Sequence, residues 1–110
     1  MRRSPMKRMP SRQGAQFWKE LRQAVLEANV LHQQANGDPD AEDPRCDCNA
    51  ARCPHPSKDR CTRRGTSLDI AHIEPLMMGG SRYDSRNVRN KVHNLRAMCR
   101  LCHRHEELNR

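Results

Sequence analysis

Cys99-Arg100-Leu101-Cys102-His103 forms a C-x-x-C-H knuckle, and it constrains the fold more than any other feature of the chain. Two thiols separated by two residues and followed at once by an imidazole suit a metal ion better than a disulfide framework. The knuckle closes a stretch that opens at Asp69 with alternating residues, then Pro75 and the pair Gly79-Gly80. Alternation followed by turn residues reads as a hairpin and the residues after the knuckle as a short helix, so histidines from both ends of the stretch should gather around an ion. The chain needs such a fastening. Of its 110 residues 35% are hydrophobic and 3% aromatic, with a mean hydropathy of -1.08, a composition too poor in apolar side chains to hold a fold unaided.

Six cysteines without an apolar export segment point to metal in a reducing compartment, and hence to a cytoplasmic protein. The same lack of a signal sets aside c-type haem, whose attachment motif is also C-x-x-C-H. Lys and Arg number 21 against 13 Asp and Glu, leaving a net charge of +8 and a pI of about 9.8. Such an excess favours a polyanionic partner, of which nucleic acid is the commonest. No apolar run is long enough for a membrane span. Phe17, Trp18 and Tyr83 are too few to suit an RNA-binding knuckle that stacks bases.

The chain divides by composition. Residues 1–13 are basic, carry two prolines and lack periodicity, which predicts a disordered arm. Residues 14–35 place Phe17, Leu21, Ala24, Ala28 and Leu31 at three- and four-residue steps, with Trp18 and Val25 widening the stripe, the pattern of an amphipathic helix. Residues 36–45 are acidic and turn-rich and read as an exposed linker. Residues 46–110 hold the remaining elements: a strand from Thr66 to Ile73, a polar loop or short helix to Val92, a returning strand from Asn94 to Met98 and a helix from Leu101 to Leu108. The class is α+β. Four cysteines lie between Cys46 and Cys61, and a closed tetrahedral zinc site needs two of them beside Cys99 and Cys102. Spacing alone favours Cys48 and Cys53 but leaves the choice open.

In this order, H-I-x-P at His72, the glycine pair, N-L at Asn94 and C-x-x-C-H resemble the HNH endonuclease family, whose core is a ββα-metal finger. The preceding C-x(7)-C-T-x-x-G-T-x-x-D, from Cys53 to Asp69, is similar to the phage and actinobacterial branch. The likeness covers roughly residues 46–107, with a weaker match of F-W-K-E-L-R-Q-A-V-L to a helix that often precedes the core. It implies His72 as general base, a role neutral imidazole fills near pH 7. It implies His103 as a ligand of a catalytic divalent ion, whether Mg2+, Mn2+, Ni2+ or Zn2+, and Asn94 as the residue that fixes the loop between the strands. It further implies a structural zinc on Cys53, Cys61, Cys99 and Cys102, with Cys46 and Cys48 spare or replacing one of the set.

One position departs from the family pattern. Where the family places Asp or His immediately before the catalytic histidine, as a metal ligand, this chain has Ala71, and a methyl group cannot coordinate an ion. Asp69 lies two residues back on the same strand face, and Glu107 one turn after His103, so both are candidate ligands of the catalytic ion. Glu106 stands where the family often has a lysine. DNA contacts are expected from arginines, above all Arg96, Arg100 and Arg104, which neutralise phosphates without reading bases. The expected function is metal-dependent endonucleolytic cleavage of DNA with little sequence preference. Ala71 favours the alternative, a zinc-stapled DNA-binding or assembly module without catalysis, for instance beside phage packaging proteins.

Overall fold

The chain enters its first helix through a side-chain cap. In the computed structural model, which describes residues 11–48 and 68–109, Ser11 is extended and its hydroxyl accepts the Gly14 N–H at 2.9 Å, satisfying one of the donors that a helix start leaves unpaired. Helix α1 spans Arg12–Ala35. Arg12 and Gln13, grouped by composition with the basic arm, therefore form its first turn; residues 1–10 lie outside the described residues. In chain order there follow strand β1 (Asp69–His72), a 3-10 turn (Val92–Asn94), strand β2 (Leu95–Met98) and helix α2 (Arg100–Leu108). This is a small α+β arrangement of two helices and a two-stranded antiparallel sheet.

The strands pair Asp69 with Met98, Ile70 with Ala97, Ala71 with Arg96 and His72 with Leu95. Because directly opposed residues share a face and neighbours alternate, Ile70, His72, Leu95 and Ala97 form one face of the hairpin, and Asp69, Ala71, Arg96 and Met98 the other. Helix α1 covers the first face: Leu21, Val25 and Leu95 are buried together, with Phe17, Trp18 and Ile70 half-buried against them. The second face joins a core of Leu26, Cys46, Leu68, Ala71, Ala97, Met98, Cys99 and Cys102, in which sulfur stands where larger hydrocarbon would ordinarily be.

One expectation about α1 is corrected. Ala28 and Leu31 extend the apolar stripe on paper, yet both are exposed, Leu31 at 64%. A strand of four residues is only about 13 Å long, against about 36 Å for a 24-residue helix, so the hairpin runs out before the helix does. The acidic segment 36–45, read as an exposed linker, is exposed at most of its residues but is tied to the remaining helix. After Gly37, at φ 114°, the chain folds back along α1 and is stitched to it by amides. Asn29 Nδ2 donates to Arg45 O at 2.8 Å and Asn29 Oδ1 accepts from Arg45 N at 2.9 Å. Gln33 Nε2 donates to Asp43 O at 2.9 Å and Gln34 Nε2 to Ala41 O at 2.8 Å; Ala41 itself is buried. The same segment then runs beside β2, where Asp47 N donates to Ala97 O at 2.7 Å.

Candidate active site and metal centre

Thiols of three distant residues meet at the start of α2. The sulfurs of Cys46, Cys99 and Cys102 lie within 4.8 Å of one another and all three residues are buried. Cys99 is the N-cap of α2, its Sγ accepting from Cys102 N at 3.4 Å, so the knuckle also starts the helix. None of the described cysteines is in a disulfide. Burial pushes the Cys46 thiol up to about 12, and the neighbouring Cys99 and Cys48 thiols add to that rise. Thiols so placed ionise together only around a cation, and soft sulfur donors in a dry, closed cluster suit Zn2+. Cys46, which the resemblance leaves either spare or replacing one of the set, is a member of the cluster; half-buried Cys48 packs against the same core. Cys53 and Cys61 lie outside the described residues.

A second group forms across the α2 face of the hairpin. His103 Nδ1 is 3.1 Å from Asp69 Oδ2, and its Nε2 is 3.6 Å from Glu107 Oε1. The strand alternation that points Asp69 at α2 and the one-turn spacing of His103 and Glu107 bring the three together. Asp69 thus meets the ring in the manner of a carboxylate that orients a metal-binding histidine, while Nε2 and Glu107 face each other on the far side. Among the described residues, the thiol trio is the one set of three or more His, Cys, Asp or Glu side chains with donor atoms this close. A catalytic ion at His103 would rest on His103 and Glu107 and complete its shell with water and phosphate. Ala71 is buried in the core on this face, opposite Arg96, and Arg96 is itself engaged by Glu106 at 3.3 Å.

His72 leaves the sheet on the opposite face, towards α1. Its Nε2 is 2.8 Å from Asn90 Oδ1, and the ring stacks on Trp18 at 15° with centroids 6.2 Å apart. Arg82 lies over Trp18 at 5.4 Å and over Tyr83 at 5.0 Å. Helix α1 reaches this loop because Gly14 lacks a Cβ: one built there would stand 3.1 Å from both Cβ and O of Tyr83. The two imidazoles therefore approach from the two faces of β1 rather than from one. The expectation that histidines from both ends of the stretch gather around one ion is therefore corrected: His103 lies with Asp69 and Glu107 on one face, and His72 with Trp18 and Asn90 on the other.

Asn94 is buried and spends its amide on the loop between the strands. It accepts from Glu74 N at 2.8 Å and donates to Glu74 O at 3.1 Å and Arg89 O at 2.8 Å. Arg89 pairs with Glu74, closing the base of the loop. Arg100 and Arg104 are exposed on α2 beside His103. Two contributors went unread in the sequence as parts of the site. Trp18 appeared only as a widening of the helix stripe, and Asn90 is one of several asparagines in a polar run, with nothing local to single it out. No helix among the described residues is long and apolar enough to cross a membrane. Neither a family model, nor a curated protein, nor a solved structure matches the chain.

Proposed function

We propose that the chain is a metal-dependent endonuclease of the HNH type, hydrolysing phosphodiester bonds in DNA with little sequence preference. The observation that supports this best is one ββα unit bearing a held imidazole on β1 and, on α2, an imidazole bracketed by Asp69 and Glu107. In this reading His72 takes a proton from water as the water oxygen bonds to phosphorus, and the P–O3′ bond breaks with the 3′ oxygen taking a proton from solvent. His103 and Glu107 would hold a divalent ion, which would supply charge stabilisation at the phosphate and the departing oxygen. Asp69 orients His103, Asn94 holds the loop that carries the backbone after His72, and Arg100 and Arg104 attract the DNA backbone. Zinc in the thiol cluster would fasten α2 to the segment at Cys46 and, with a fourth protein ligand closing the site, would take no part in the chemistry.

The test is cleavage of supercoiled plasmid in Mg2+, Mn2+, Ni2+ or Zn2+ by the parent and by His72→Ala. The substitution should abolish nicking while zinc content stays at the parental value; equal cleavage by both proteins would remove His72 from the mechanism. Ala71 favours the second reading, a zinc-stapled module that binds DNA or a phage packaging assembly without cutting. Retention of plasmid without nicking, in every ion, would establish that reading instead.

A further inference from the structure

We infer that Asn90 is a positioning residue that fixes His72 in the tautomer with the proton on Nε2. The inference deepens the nuclease reading and rests on it for its purpose, but its geometry stands by itself. Asn90 is among the most deeply buried side chains, 1% exposed. Its Nδ2 donates to two backbone carbonyls, Ser81 O at 2.8 Å and Asp84 O at 3.0 Å. A carbonyl can only accept, so both amide hydrogens are committed and the amide cannot be turned end for end. What Asn90 offers His72 at 2.8 Å is therefore its oxygen. That oxygen has no proton to give, so Nε2 must be the donor and the lone pair of the neutral ring falls on Nδ1.

Two coordinates of the ring are set by different elements. Trp18, from α1, fixes its plane by stacking at 15°, and Asn90 fixes its rotation within that plane through the Nε2 bond. A buried amide anchored at both hydrogens loses little freedom in holding the third contact, which is how a base is kept in place at small cost. The Ser81–Asp84 turn, which the polar loop forms between the strands, thereby becomes the support of the catalytic base. Asn94 serves the same loop but spends its amide on backbone alone.

Ring-nitrogen NMR of the zinc-loaded chain, at a pH where His72 is neutral, tests the inference directly. The parent should show a protonated Nε2, an unprotonated Nδ1, and an Nε2–H resonance that exchanges slowly with water. Asn90→Ala should lose that slow resonance, and its cleavage rate should fall roughly tenfold or more with KM little changed. Asn90→Asp, which keeps an acceptor oxygen, should retain part of the resonance. A proton on Nδ1 in the parent overturns the inference outright, even if neither variant folds; so does a slow Nε2–H signal that persists unmoved in folded Asn90→Ala. If the parent carries the predicted signature yet cuts no DNA in any ion, the nuclease reading falls and the positioning of His72 by Asn90 remains.

Discussion

The two faces of the hairpin are built from different materials. Against α1 lie Leu21, Val25, Leu95, Phe17, Trp18 and Ile70, a small hydrocarbon core of the ordinary kind. Against α2 the hydrocarbon of Leu26, Leu68, Ala71, Ala97 and Met98 is joined by sulfur and charge: the Cys46, Cys99 and Cys102 cluster, the Asp69–His103 pair and the Arg96–Glu106 pair. Hydrophobic burial is indifferent to metal, whereas a thiol cluster holds only what its cation holds. The difference predicts that the α1 side survives conditions under which the α2 side does not.

Removing the metal that the thiol cluster could hold is the sharpest way to break that asymmetry. A strong chelator, or Cys99→Ser, should release α2, because the residue lost is both a thiol of the cluster and the helix N-cap. Binding energies of structural zinc are on the order of 10 kcal/mol, comparable with the whole stability of a typical domain. Circular dichroism should show loss of the α2 signal with most of α1 retained, and amide exchange should rise first after Met98. Simultaneous and complete unfolding of both helices would mean that the faces are not separable.

A smaller effect is expected from Leu21→Ala on the other side. Truncating a buried leucine costs about 2–5 kcal/mol, here at the centre of the hydrocarbon cluster, and zinc stoichiometry should not change. Denaturant melts with parallel zinc titration would check both halves of that statement; loss of zinc together with stability would couple the two faces. The smallest effect belongs to Gln33→Ala. Gln33 is buried and donates to Asn29 Oδ1 and to Asp43 O, both at 2.9 Å, so the change should cost about 1–2 kcal/mol. It should raise protease sensitivity between residues 36 and 45 without touching the α2 side.

Much of the backbone was legible because local signals agreed with the global result. The i, i+3, i+4 stripe marked α1, the turn residues after His72 marked the hairpin, and C-x-x-C marked the start of α2. The limits of α1 were less legible: the stripe continues through Ala28 and Leu31, but how much of it is buried depends on the length of the strands it meets. The identity of the thiols was not legible either. Cys46 joins Cys99 and Cys102 because Asp47 bonds to Ala97 across the chain, a long-range pairing that no spacing rule contains. Asn90 escaped for a similar reason, since an asparagine that supports a histidine 18 residues away looks locally like any loop asparagine. The acidic segment keeps the exposure that its composition suggests, while amides on α1 hold its backbone.

The Asp47–Ala97 bond has one more effect, on how copies of this chain can meet. A two-stranded ribbon ordinarily offers two unsatisfied rims, and growth through both is what builds fibrils. Here the outer rim of β2 is already taken by the chain's own backbone at Asp47. Strand addition past β2 would have to displace that bond.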